Sequence, residues 1–373
     1  MRIKDSILSW RWWLGLKSVA VQGEPPQIGL TVVIPAYNEE RCIEATIRSL
    51  LLQTYPITEI IVVDHCSSDN TGDIARSLGV TVVRPESTNH TKTQAQNFGL
   101  GWVTTPLFVN IDADTSLAPN AVYEAMRYFN DPSTSVVCGF VLPSKVKTLW
   151  ERGRFAEYLF GFGVIKSAQN HIGAIFVSSG CFSIFRTGDV LAVGGFNQRT
   201  MAEDMDFTWD LAGRGGRICY ASRAVCFAVE PETWKIYAHQ VNRWQAGFLQ
   251  NIKVRRFKLT GIGWRLACLV YVYLVWNIVG IFGETVALLL FPYVFFHQSN
   301  LAVGLLFLGV VQIVTVWIPI LVKGFELRMT WKAAASIPAY YVTQYANAFL
   351  FMRAIWNEWI CNKNLKVWVK GHT

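Results

Sequence analysis

The cysteines of this chain lack any regular spacing. There are eight, yet none forms a CxxC pair and no interval recurs, which argues against a disulfide framework and against a cysteine zinc site. A reduced, cytosolic globular part is the simplest setting for thiols so placed. Acid is also in deficit: 26 Asp and Glu stand against 34 Lys and Arg, a formal charge of +8. The excess comes without a basic aromatic stripe or a helix-turn-helix pattern, so nucleic acid is not an expected partner. There is no internal repeat and no low-complexity tract. The opening residues, MRIKDSILSWRWWLGLKSVAV, lack both the unbroken apolar run and the cleavage site of a signal peptide, because Arg11 and Lys17 interrupt them. Trp10, Trp12 and Trp13 among these cations fit a helix that either lies in a membrane interface or docks on the protein itself.

Apolar residues are abundant: 52% are hydrophobic, 14% are aromatic and the mean hydropathy is +0.27. Their distribution divides the chain. Residues 1–23 form the amphipathic N-terminal segment, 24–233 a cytosolic globular domain, 234–263 interfacial helices, 264–356 a transmembrane region of about three helices, and 357–373 a basic tail. Leu266–Phe296 is long enough for one tilted helix or for two short pieces broken near Gly283 and Glu284. Leu301–Val322 reads as a clean span. Ala333–Ile355, interrupted by Pro338, Gln344, Asn347 and Arg353, either spans within a bundle or lies at the interface. The basic loop Lys323–Lys332 is expected on the cytoplasmic side. Three spans would then put Lys363, Lys366 and Lys370 outside, against the same rule, and the two readings conflict. The run KVRRFK, Lys253–Lys258, suits an anionic leaflet or serves solubility.

Within the globular part, strands alternate with helices. LTVVI (Leu30–Ile34), the apolar run before Asp64, VTVVRP and PLFVNIDADTSL read as strands. ERCIEATIRSLLLQ and TKTQAQNFGLGWV read as helices. This alternation predicts an α/β fold with a parallel, doubly wound sheet, whose functional residues lie at the carboxyl ends of the strands. Tyr37, Asp64, Asp112 and Asp114 fall there. The second half, SVVCGFVLPS, SSGCFSIFRT and GGRICYASRAVCFAVEP, reads as shorter strands with helices between.

Asp64 alone is either functional or a helix cap. Asp112 and Asp114 form a DxD after an apolar strand, and two hard carboxylates so placed suit Mg2+ or Mn2+ with a diphosphate completing the shell. AEDMDF brings Glu203, Asp204 and Asp206, either a site or an acidic helix start. EPETWKIYAHQVNRW then adds Glu230, Gln240, Arg243 and Trp244 just before the apolar region.

Taken in order, these motifs resemble the family 2 glycosyltransferases of the GT-A fold, in particular the membrane-embedded branch of cellulose, chitin and hyaluronan synthases. The resemblance runs from about residue 28 to 260: VVIPAYNEE, Asp64, TKTQAQN with Lys92 and Asn97, the DxD, SSGCFSIFR, AED and the complete QxxRW of QVNRW. One departure is Asp64-His65, where the family often has Asp-Asp. The resemblance implies a UDP-sugar donor, with Tyr37, Glu39, Asp64, Lys92, Asp112, Gln240, Arg243 and Trp244 binding it. It implies Asp112 and Asp114 at the metal, Asp204 as catalytic base with Glu203 beside it, and Gly180, Cys181 and Trp244 at the acceptor. The activity expected is inverting, processive transfer that builds a β-linked polysaccharide at a plasma or inner membrane from the cytoplasmic side. The alternative is transfer of one sugar to a membrane lipid. A silent nucleotide-binding scaffold and a nucleotidyltransferase account less well for Asp204 and QxxRW. Partners implied are the donor, a glycan or lipid acceptor, membrane lipids and a possible second copy of the chain.

Overall fold

The computed structural model describes residue 21 and residues 23–86, 91–280, 286, 289, 290, 293 and 299–363. The expected N-terminal helix, most of the second half of the Leu266–Phe296 stretch, and Lys366 and Lys370 of the tail lie outside the described residues.

Four apolar runs build the N-terminal half of the sheet: β1 (Leu30–Ala36), β2 (Glu59–Asp64), β3 (Thr81–Val83) and β4 (Leu107–Ile111). They pair in parallel in the order β3-β2-β1-β4, and helices α1 (Ile43–Leu51), α2 (Thr71–Ser77) and α3 (Lys92–Leu100) return the chain between them. Strands buried on both faces need apolar residues at consecutive positions, which explains why β1 and β4 show little alternation.

The sheet does not stay parallel. Its order continues β4-β7-β6-β8-β5, with β5 at Thr115–Leu117, β6 at Thr134–Pro143, β7 at Phe182–Arg186 and β8 at Arg217–Ala228. β7 enters from the end of the sheet where the acids lie, so it runs antiparallel to both β4 and β6. The doubly wound expectation is therefore corrected to a mixed sheet. PLFVNIDADTSL is also divided. β4 stops at Ile111, a turn closes from the Thr115 amide to the Asp112 carbonyl at 3.0 Å, and β5 pairs with β8 at the far edge. The acids occupy that crossing, where the backbone leaves one strand for another. β6 and β8, at 10 and 12 residues, are the longest strands in the sheet rather than the short ones expected.

The remaining helices are α4 (Ala121–Met126), α5 (Leu149–Phe160), α6 (Ser167–His171), α7 (Thr187–Val193), α8 (Glu203–Gly213), α9 (Trp234–Val254), α10 (Trp264–Val275), α11 (Ser299–Gln312), α12 (Ile318–Glu326) and α13 (Thr330–Ile355). Alternate residues of β1 feed two cores. Val32 and Ile34 pack with Ile43 and Ile47 of α1. Val33 shares the other face with Phe155 and Leu159 of α5, and with Ile320 and Ile337 from α12 and α13. The C-terminal helices thus close the core of the globular domain.

That packing changes the reading of the C-terminal third. Among the described residues one stretch, Gly309–Glu326, is long and apolar enough to cross a membrane; Trp264–Gly280 is apolar but shorter. α13, covering the less clean Ala333–Ile355, lies against α5. At their crossing a Cβ on Gly153 would stand 2.2 Å from Thr343 Cγ2. The segment expected to be interfacial, FLQNIKVRRFK, is largely internal. Phe248 to Ile252 are buried. Arg255 reaches Asp206 and Asp210 at 2.9 and 2.6 Å, and Lys253 donates to Asn362 at 2.5 Å. Of the KVRRFK cations, Arg256 and Lys258 are exposed.

Candidate active site

The loops after β1 and β2 hold each other. Asn38 adopts a left-handed φ of 54°, which its short polar side chain tolerates. Its amide donates to Ser67 Oγ at 3.0 Å, and its Oδ1 accepts from the Ser68 amide at 2.8 Å. The Glu39 amide donates to Thr71 Oγ1 at 2.7 Å. Tyr37 and Glu39 are thereby presented to a cavity of about 530 Å³.

Of the residues singled out in the sequence, Tyr37, Glu39, Lys92, Asp112, Asp114, Gly180, Cys181, Glu203, Asp204, Gln240, Arg243 and Trp244 all line this cavity. Asp64 does not. It is buried beneath the loop, where its Oδ1 accepts from the Ser67 amide at 2.9 Å, and its Oδ2 would be 2.6 Å from a Cβ on Gly72. His65 lines the cavity instead. Asn97 is also elsewhere: it pins the loop before α8, donating to the Phe196 carbonyl at 2.8 Å and accepting from its amide at 2.9 Å.

At the centre of the cavity, Lys92 begins α3, which Thr91 caps through the Gln94 amide. Lys92 Nζ lies 2.6 Å from Asp112 Oδ1 and 3.5 Å from Glu203 Oε1. Burial opposes its charge, but Asp112, Glu203 and Asp204 outweigh that and hold its pKa above the ordinary lysine value. Glu203 is buried too, yet Lys92 and Arg243 hold it below the usual glutamate range. Asp204 goes the other way: burial, and then the neighbouring Glu203, push it up. Its Oδ2 accepts from the Gly180 amide at 3.1 Å and its Oδ1 from the Met205 amide at 2.8 Å. Gly180 leaves no room for a side chain without crowding, since a Cβ there would stand 3.2 Å from Lys92 Nζ and 3.4 Å from Asp204 Oδ2. Two adjacent acids with opposite shifts, one paired to cations and one made more basic, are the arrangement that separates an electrostatic role from a proton-accepting one.

The QxxRW helix forms one wall. Gln240 and Trp244 are one turn apart on α9, and both meet Arg154 of α5, which is 1% exposed. Arg154 Nη2 donates to Gln240 Oε1 at 3.3 Å, and its guanidinium carbon lies 4.5 Å from the centre of the Trp244 ring. Glu230 sits 3.6 Å from Arg154 Nε and accepts from the Tyr158 hydroxyl at 2.7 Å. Burial pushes Glu230 up to about 7, against the pull of Arg154 and Tyr158. Sequence reading quoted Glu230 without a role and missed Arg154, Glu157 and Tyr158 altogether. Their i, i+3, i+4 spacing on α5 was the available signal, but it is also that of an ordinary salt-bridged helix face.

Asp112 and Asp114 supply hard oxygen donors to the cavity. Among the described residues no group of three or more His, Cys, Asp or Glu side chains is arranged to hold a metal. Two carboxylates fit a Mg2+ or Mn2+ that completes its shell with diphosphate and water rather than one caged by protein alone.

A mixed α/β sheet with its acids collected where the parallel half ends, and a cavity above them, is the arrangement of the GT-A fold. Residues 31–190 match the family model described as Glycosyl transferase family 2. It is 30% identical over 243 residues to a poly-beta-1,6-N-acetyl-D-glucosamine synthase of Staphylococcus aureus (strain COL), covering 62% of this chain and 59% of the relative. It is 30% identical over 251 residues to a hyaluronan synthase of Streptococcus pyogenes, covering 61% and 59%. The chain thus spans less than two thirds of the length of these relatives. In fold it is similar to a mannosyltransferase from Pyrobaculum calidifontis, solved in complex with GDP-Man and Mn2+, with a TM-score of 0.60, 19% identity, and coverage of 90% of this chain and 94% of the other.

Proposed function

We propose that this chain is an inverting glycosyltransferase that takes sugar from a UDP-sugar and adds it to a β-linked glycan at a membrane. The reading is carried by one observation: Asp204, held by two backbone amides and raised by burial, opens onto the same cavity as Lys92, Asp112 and the QxxRW side chains. The similarity to the poly-beta-1,6-N-acetyl-D-glucosamine synthase supports N-acetylglucosamine as the first sugar to test.

In this mechanism Tyr37 and Glu39 meet the nucleoside, while Asp64 organises the loop beneath it. Lys92 and Arg243 face the negative charge of the diphosphate. Asp112 and Asp114 would hold the divalent cation, which when bound offsets charge on the departing UDP. The acceptor hydroxyl, resting beside Trp244 and the Gly180–Cys181 loop, attacks the anomeric carbon as its proton passes to Asp204. The new C–O bond forms opposite the breaking one, whose electron pair leaves with UDP. An α-linked donor then gives a β-linkage. The apolar stretch Gly309–Glu326 and the exposed Trp264 and Tyr271 of α10 support a reading in which the protein sits at a membrane, and in this reading the catalytic domain faces the cytoplasm.

The test is UDP release by the purified chain in lipid, with a panel of UDP-sugars in Mg2+ or Mn2+, before and after EDTA, with the product sized. Asp204→Asn is expected to lower turnover by about 10²–10⁴-fold with UDP binding retained. Long glycosidase-sensitive chains support the synthase. A short lipid-extractable product would replace it with single-sugar transfer to lipid, and absence of turnover with every donor would refute both.

A further inference from the structure

We propose that Arg154 is the positioning residue through which Gln240 and Trp244 receive the acceptor. This goes beyond the proposed function and rests on it. The motif side chains are not self-supporting. Tyr237, Gln240 and Trp244 fall on one stripe of α9, and the Arg154 guanidinium serves all three. It lies 4.6 Å from the centre of the Tyr237 ring and 4.5 Å from that of Trp244, and it donates to Gln240. A tryptophan ring offered to a sugar is useful only if its plane is fixed, and a planar cation over the ring fixes it in a way a flexible ammonium does not.

The guanidinium is itself locked. Nη1 donates to Glu157 Oε2 at 2.9 Å. Glu157 Oε1 accepts from Asn347 Nδ2 at 3.4 Å, and Asn347 Oδ1 accepts from the Tyr237 hydroxyl at 2.6 Å. This closes a ring of contacts over α5, α9 and α13. Glu230 adds a second carboxylate at 3.6 Å. Arg154 Nε and Glu230 Oε2 have no hydrogen-bond partner although both are buried, so this guanidinium is held on one side by hydrogen bonds and on the other by charge and ring faces. Such an arrangement costs stability compared with an apolar packing, and that cost is explained if the orientation of the two motif residues is what it secures. α13 therefore contributes to the acceptor wall through Asn347 without touching the reacting atoms.

The test uses the full chain in lipid, with UDP-GlcNAc as donor and a β-1,6-linked N-acetylglucosamine trisaccharide as acceptor. Arg154→Lys keeps the charge and loses the planar fork. The expected result is a rise of about tenfold in acceptor KM, with UDP affinity within twofold of wild type and a smaller change in kcat. In a Trp244→Ala background the same substitution is expected to add little, because the interaction it removes is already gone. Arg154→Met with Glu230→Gln, which removes the cation together with one of its carboxylates, must give the same split and covers the case in which Arg154→Lys does not fold. The proposal is overturned by an unchanged acceptor KM in a folded variant, by equal loss of UDP affinity, or by full additivity with Trp244→Ala. An inactive wild type would instead refute the proposed function; an active wild type with an indifferent Arg154→Lys refutes this inference alone.

Discussion

Replacing Lys92 by Met would leave Asp112, Glu203 and Asp204 facing one another without their shared cation. At an effective dielectric of about 20, unit charges at the 2.6 Å and 3.5 Å separations seen here attract by about 6 and 5 kcal/mol before desolvation is counted. Removing one partner of a buried pair costs about 3–5 kcal/mol net. Most of that can be relieved by binding a proton, at about 1.4 kcal/mol for each tenfold change in proton affinity. The acid limb of the pH–rate profile for UDP release should therefore move up by about two pH units in Lys92→Met. The stability change has a definite sign. The pKa of Lys92 is raised above 10.5 in the fold, so its contribution is fully present below that pH and would be lost only as pH rises through the higher folded value. At neutral pH the variant lacks the whole of it. As pH falls, Glu203 and Asp204 in the variant take up protons before the unfolded chain does, and the gap in melting temperature to wild type narrows. Melts from pH 8 to pH 5 read this without any assumption about activity. A gap that is constant or widens on acidification, or an acid limb that moves by less than about half a pH unit, would refute the electrostatic reasoning.

Two further substitutions test the framework around the site. Gly153→Ala puts a methyl group 2.2 Å from Thr343 Cγ2 and 3.0 Å from the Ala339 carbonyl. It should destabilise by about 1–3 kcal/mol, hasten proteolysis of α13, and be partly rescued by Thr343→Ala. Asp206 is fully buried and receives Arg199 at 2.7 and 2.9 Å and Arg255 at 2.9 Å. Asp206→Asn removes the buried charge these two cations share but leaves both paired with Asp210, and Arg199 is partly exposed, so it should lower the denaturation free energy by about 1.5–3 kcal/mol in urea titrations, whereas a loss under about 0.5 kcal/mol would show that Asp210 and solvent carry the cluster without it.

The sequence by itself determined the chemistry available and the order in which it appears. Runs such as LTVVI and EIIVVD, short, β-branched and followed by turn residues, read as buried strands, and acids just beyond them collect at one end of a sheet whose strands run together. That is why most of the residues singled out as candidates share one cavity, with Asp64, Asn97 and Asp206 outside it. Contacts between distant segments were not legible, because periodicity reports which face of an element is apolar but not what that face meets. FLQNIKVRRFK has the composition of an interfacial helix, and only its packing on α8 and the C-terminal helix turns Phe248 and Asn251 inward and gives Arg255 to Asp206. Asp112 and Asp114 read as the end of one strand because the switch to β5 depends on β8, about 110 residues later. Arg154 reads as one more charge on an amphipathic helix. The tertiary structure alone sets it against Trp244 and Gln240, because the partners that pay for its desolvation come from α9, the loop after β8 and its own helix, and no local pattern brings those together.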